Sequence, residues 1–272
     1  MQCGNGPNAD ATRRGRSLMG AGHTHALYVH EHSTLHRMAP EAKLVAALLI
    51  VTSIAVTPAQ AIWAFAGFAV GLAAVIRIAR LPFGFVLLRL AVVIPFLLFA
   101  VLIPFIAGGE QIEVGGVSLS RDGLWGMWNV FAKATLGATT SIVLAATTEI
   151  AEMLRGMAVL RVPAALTAIA MFMIRYLVVV SNELTRMRVA MTARGYDPRW
   201  LWQAKPIAAS AGALFIRSYE RGERVHSAML ARGFTGTMPE INRRRATRHD
   251  WTMAAAAAAA AAVLAALGLV IA

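Results

Sequence analysis

The sequence predicts an all-α integral membrane protein with about five transmembrane helices and a cytoplasmic domain built on two long helices. Three observations carry that prediction. Of 272 residues, 58% are hydrophobic and only 15% charged, where soluble domains run to about 25% charged. Apolar runs recur at nearly the length, about 20 residues, that a helix needs to cross the hydrocarbon core. Finally, 26 Lys and Arg face 14 acids, a balance of +12. The excess is concentrated in 149–250, where 16 basic residues stand against 8 acidic ones.

The chain opens on a Gly-rich, basic stretch, 1–22 (MQCGNGPNADATRRGRSLMGAG), with none of the 7–15 apolar residues of a secretory signal. It reads as part of a disordered cytoplasmic N-terminus, 1–36. The single cysteine, Cys3, permits no disulfide framework and suggests no Cys-based metal site. His23, His25, His30, His32 and His36 follow at spacings that suit Co²⁺, Ni²⁺ or Zn²⁺. They equally suit a solvated approach to the first membrane helix, and no metal site or cofactor is assigned.

Residues 37–148 hold four predicted spans. Lys43–Val56 stops before Pro58, and Ala61–Ile78 follows after a short turn. Phe83–Ile106 is interrupted by Pro95 and Pro104. Leu124–Thr148 carries Trp125 and Trp128 near its start, where aromatic anchors belong. A fifth span, within 251–272, contains nine consecutive alanines. Poly-Ala is strongly helical but weakly apolar, so this helix is expected to pack against others rather than face lipid alone.

Sidedness follows from Arg and Lys. The turn at 57–60 has neither, and the 107–123 loop sets Arg121 against Glu110, Glu113 and Asp122. Arg77, Arg80 and Arg89 mark the opposite side, with Arg13, Arg14, Arg16 and Arg37. The N-terminus and the block 149–250 are therefore expected in the cytoplasm. Pro163–Val180 (PAALTAIAMFMIRYLVVV) contests this, being apolar enough to cross. Crossing would put the basic residues beyond it outside, and Arg175 in the bilayer, which is costly. The alternative is one long helix from Pro163, a favoured first-turn residue, to Gly195. A second helix, from about Pro206 to Gly233, has the same design, apolar first and charged later.

Both helices end on one phrase: AMTARGY at 190–196 and AMLARGF at 228–234, 38 positions apart. A helix cap accounts for part of it, with Gly in the left-handed conformation and Arg facing the negative helix end. The repetition points to a partner with two equivalent sites, each taking an Arg between small residues. Anionic headgroups are the other reading of the tips, one better served by loose clusters such as Arg243, Arg244 and Arg245.

No catalytic constellation is present: the sequence lacks any Gly-Lys dipeptide, and with it the phosphate loop, and has no GxSxG, HExxH or CxxC. An enzyme is not expected.

The paired Ala-Arg-Gly boxes resemble those of the transmembrane T component of energy-coupling factor transporters. STLHRMAPEAKL (33–44) is also similar to that family, and SYERGERVHSAMLARGFTGTMP (218–239) looks most like its CbiQ branch, which serves cobalt or nickel uptake. The resemblance, over about 25–270, implies a non-catalytic scaffold in the cell membrane whose 149–250 block is a coupling domain. Two ABC-type ATPase subunits would dock on Ala193, Arg194, Gly195 and on Ala231, Arg232, Gly233. A separate substrate-binding membrane component would be held by the membrane and coupling helices, alongside lipid and without nucleic acid. A vitamin in place of the metal would leave the scaffold role unchanged. A self-contained secondary transporter would want ionisable residues inside the spans, and Lys133 is the strong candidate there. A nucleic-acid-binding regulator would want a reading motif, and the basic half shows none.

Overall fold

The computed structural model describes residues 34–108, 111–114, 117–196, 205–236 and 246–271, without side chains at 111–119. The N-terminal tail with Cys3, His23, His25, His30 and His32, and the cluster Arg243–Arg245, lie outside the described residues. After a single helical turn at Thr34–Arg37, the helices are α1 (Pro40–Val56), α2 (Ile62–Ile78), α3 (Phe83–Leu90) and α4 (Ile94–Ile106). Strands β1 (Gln111–Val114) and β2 (Val117–Ser120) come next, then α5 (Arg121–Thr147), α6 (Ile150–Val159), α7 (Ala164–Ala193), α8 (Lys205–Ala231) and α9 (Arg248–Ile271). The class is all-α, as expected. The 107–123 loop adds a small antiparallel hairpin that pairs Gln111 with Ser120, an element the sequence does not announce.

The boundaries follow from local chemistry. α1 starts with Pro at its first position, where the missing N–H costs nothing. Between α3 and α4 the chain tightens to a 3₁₀ turn at Ala91–Val93. Pro95 offers no N–H to the carbonyl four residues back, that of Ala91. At the head of α5, Ser120 Oγ accepts the Gly123 N–H at 3.2 Å and donates to Gly108 O at 3.1 Å. Gly123 itself is required by packing: a Cβ there would stand 2.6 Å from Pro104 Cα.

Two compact units result. One comprises Met1–Gly156 and Arg244–Ala272, the other Met157–Arg243. Gly156, at the edge of the first unit, is wedged against α1, where a Cβ would lie 2.9 Å from Leu44 Cδ1. In the first unit α9 lies along α1 through Ala254, Ala258, Ala261 and Ala265, all buried. Small side chains let the two backbones approach closely, so the poly-Ala helix packs as its composition suggests.

Helices α1 and α5 are tied by a reciprocal pair of lysines. Lys43, in the first turn of α1, donates to Thr147 O at 2.9 Å at the C-terminal end of α5. Lys133, inside α5, donates to Ala55 O at 2.8 Å at the end of α1. Each ammonium thus meets carbonyls left unpaired by the last turn of the neighbouring helix. That is a structural use for the one strong intramembrane cation of the sequence.

Four described helices are long and apolar enough to cross a membrane: Phe83–Ile106, Arg121–Thr147, Ala164–Ala193 and Arg248–Ile271. Ile62–Ile78 is apolar but shorter. The chain is thus a membrane protein. α7 qualifies by length and composition, so what argues against its crossing is charge alone.

Candidate docking site on the second unit

Helices α7 and α8 run antiparallel. Ser210 Oγ lies 3.5 Å from Met191 Sδ. Midway, Arg217 Nη1 meets Glu183 Oε1 at 2.7 Å, and Arg221 Nη2 stands 3.7 Å from Oε2 of the same carboxylate. At the far end Phe172 and Tyr176, stacked with centroids 6.3 Å apart, share a cleft with Met229 and Phe234. Positions facing each other therefore sum to about 401 along the whole pair. The two boxes accordingly sit at opposite ends of the hairpin. At 1.5 Å per residue, Arg194 and Arg232 are roughly 40 Å apart along it.

Each box is the end of its helix, and the two ends share their hydrogen bonds. Gly195 N–H donates to Thr192 O at 2.9 Å and Tyr196 N–H to Met191 O at 3.1 Å. Gly233 N–H donates to Leu230 O at 3.0 Å and Phe234 N–H to Met229 O at 3.1 Å. Both glycines are left-handed, with φ of 77° and 80°. This is the Schellman cap, in which an apolar residue after the glycine meets one in the last turn. Met191 with Tyr196, and Met229 with Phe234, take those places and are half-buried, while the residues between them are exposed.

The same cap closes two more helices, which provides an internal control. At the end of α2, Leu81 N–H reaches Ile76 O at 3.1 Å across a left-handed Arg80. At the end of α6, Val162 N–H reaches Met157 O at 3.2 Å across a left-handed Arg161. There the position held by Arg194 and Arg232 belongs to Ala79 and Leu160. The cap therefore explains the Met, the left-handed residue and the closing apolar residue, but not the arginine. Ala193, Arg194, Gly195, Ala231, Arg232 and Gly233 are all exposed, and no salt bridge to either arginine is found among the described residues. A Cβ on Gly195 or Gly233 would meet nothing within 4 Å. Conformation, not crowding, favours glycine there, and the backbone beside each arginine stays open to a partner.

The hairpin carries a local pseudo-twofold relation. An offset of 38 residues maps one phrase onto the other. It also maps the facing pair Met191 and Ser210 onto Met229 and Phe172, which line one cleft. Glu183 and Arg221 map onto each other, so the central ion pair lies on the relating axis.

A family model described as the cobalt transport protein CbiQ matches residues 31–242. The chain belongs to the CbiQ family. It is therefore a membrane component of cobalt transport. Of similar curated proteins, the "Cobalt transport protein CbiQ" of Rhodobacter capsulatus is 28% identical over 195 residues, 71% of this chain and 73% of that one. An uncharacterized protein of Methanocaldococcus jannaschii is 28% identical over 120 residues, covering 44% and 45% of the two chains. The CbiQ match takes in both boxes. Sequence reasoning missed that the fold brings Arg175 to the second box, where it lines one cleft with Arg232. No signal in either segment announces it, because the facing register depends on how α8 returns along α7.

Proposed function

We propose that this CbiQ-family chain is the coupling scaffold of an energy-coupling factor importer. Two ABC-type ATPases dock on its Ala-Arg-Gly boxes, and a separate membrane component binds cobalt or nickel. The observation that carries this reading is the presence of two exposed arginines in matched Schellman ends that do not need them. Their pseudo-twofold relation suits a partner with two equivalent sites facing opposite ends of the hairpin. An arginine offers five donors in a fixed fork to a carboxylate, and alanine and glycine beside it permit close approach.

The cytoplasmic side of this assembly holds the N-terminus and the α7–α8 block, because most of the basic excess lies there. Along the first half of α7, Leu166, Ile169, Met173 and Leu177 form an exposed apolar stripe at helical spacing. That stripe suits the substrate-binding component together with neighbouring lipid.

Co-purification tests the reading. Removing one member of a desolvated charge pair costs about 2–5 kcal/mol, largely by stranding the other charge. The double variant Arg194→Ala, Arg232→Ala is expected to insert in the membrane yet lose the ATPases and nearly all uptake. Retained ATPases with normal uptake would reduce the boxes to helix caps.

A further inference from the structure

The two ends of the hairpin are alike in their caps and unlike in what faces them. Beside the α8 tip is an open cleft of 600 Å³ lined by Arg175 and Arg232 and floored by Phe172, Tyr176, Met229 and Phe234. Among the described residues no carboxylate lines it. Shifting by 38 positions gives the matching surface at the α7 tip: Ser210 for Phe172, Ala213 for Arg175 and Leu214 for Tyr176. The contact of Ser210 with Met191 at 3.5 Å establishes that correspondence. One end therefore presents two guanidiniums over a floor with three rings, and at the matched positions 210, 213 and 214 its counterpart carries neither the second cation nor the paired rings.

We propose that the α8 tip is the dominant docking site, in which Arg175 joins Arg232 to bind an acidic side chain of one ATPase. This rests on the docking function proposed for the boxes and makes the two sites unequal. Charge complementarity selects the occupant's chemistry, since two arginines with no carboxylate of their own call for an anion. Size selects its source. A cleft of 600 Å³ with an aromatic floor is far larger than a phosphate headgroup and accommodates a carboxylate together with the apolar side chains flanking it in a protein segment. Arg175, a disfavoured residue if α7 is placed in lipid, gains a role as a specificity residue for the partner.

The test uses the full chain in nanodiscs of neutral phosphatidylcholine, with affinity for its purified ATPase pair measured by interferometry. Arg175→Gln is expected to weaken binding roughly tenfold, as loss of a charge-assisted hydrogen bond does, with Arg175→Lys recovering part of it. Arg232→Ala should cost more affinity than Arg194→Ala. Ala213→Arg, which places a guanidinium at the position matched to Arg175, should strengthen binding, a gain that misfolding cannot mimic. If Arg232→Ala weakens binding while Arg175→Gln and Ala213→Arg change nothing, this proposal falls and the docking reading stands. If Arg175→Gln matters only in discs containing anionic phosphatidylglycerol, the cleft binds lipid and the proposal falls. No effect of any variant, the two box arginines included, overturns the docking reading along with it.

Discussion

At the scale of single residues, the left-handed positions separate folding from function. Arg80 and Arg161 adopt φ of 55° and 65°, conformations that cost a non-glycine residue about 1–2 kcal/mol. Arg161→Gly is therefore expected to raise the melting midpoint of the detergent-solubilised protein. The net gain is about 0.5–1 kcal/mol, because glycine itself loses more backbone freedom on folding. The reverse changes, Gly195→Ala or Gly233→Ala, impose that strain and should lower the midpoint. Arginine-to-alanine changes at 194 and 232 should leave it nearly unmoved while abolishing docking. The lysines behave oppositely: Lys133→Met removes the donor to Ala55 O and should cost about 1.5–3 kcal/mol of stability. Its effect on uptake should then follow the amount of folded protein, which quantitative blotting against transport rate checks.

At the scale of elements, the sidedness of α7 is the open choice, since its 30 residues would reach across a bilayer. A coupling scaffold needs α7 and α8 in the cytoplasm, with the β1–β2 hairpin outside. Single cysteines at Ser118 and Arg217, after Cys3→Ser, should then react with an impermeant thiol reagent from opposite faces. Labelling of both from outside would make α7 a span and remove the docking platform from the cytoplasm. The α7–α8 pairing itself rests on half-buried apolar contacts and on the Glu183 ion pair. Solvent-exposed ion pairs contribute little and weaken with salt. Glu183→Gln should accordingly leave helix content intact in circular dichroism. It should chiefly lower the affinity for ATPases, because the two arginines at its centre lose the carboxylate that fixes the register of the tips.

For the whole molecule, the proposed coupling role would assign metal choice to another subunit. Replacing His23, His25, His30 and His32 by Ala is expected to leave the preference among Co²⁺, Ni²⁺ and Zn²⁺ unchanged in a reconstituted complex. A changed order in metal uptake would give the N-terminus a selective role. What the sequence determined alone is what local chemistry encodes. Apolar runs and their proline breaks set the membrane helices, since desolvation of each segment depends on its own composition. The phrases at 190–196 and 228–234 set two helix ends, because a Schellman cap is closed within six residues. Composition likewise marked the poly-Ala helix as a packing helix, though not that α1 is its neighbour. Tertiary structure decided everything that depends on residues distant in the chain. The ammonium groups of Lys43 and Lys133 find the ends of α5 and α1 only once those helices lie antiparallel. The boxes, matched in sequence, are thrown to opposite ends of a hairpin by the direction in which α8 returns along α7. Arg175 reaches the cleft of Arg232 for the same reason. A residue near the start of one helix faces the end of its antiparallel neighbour, and no property of either segment alone carries that pairing.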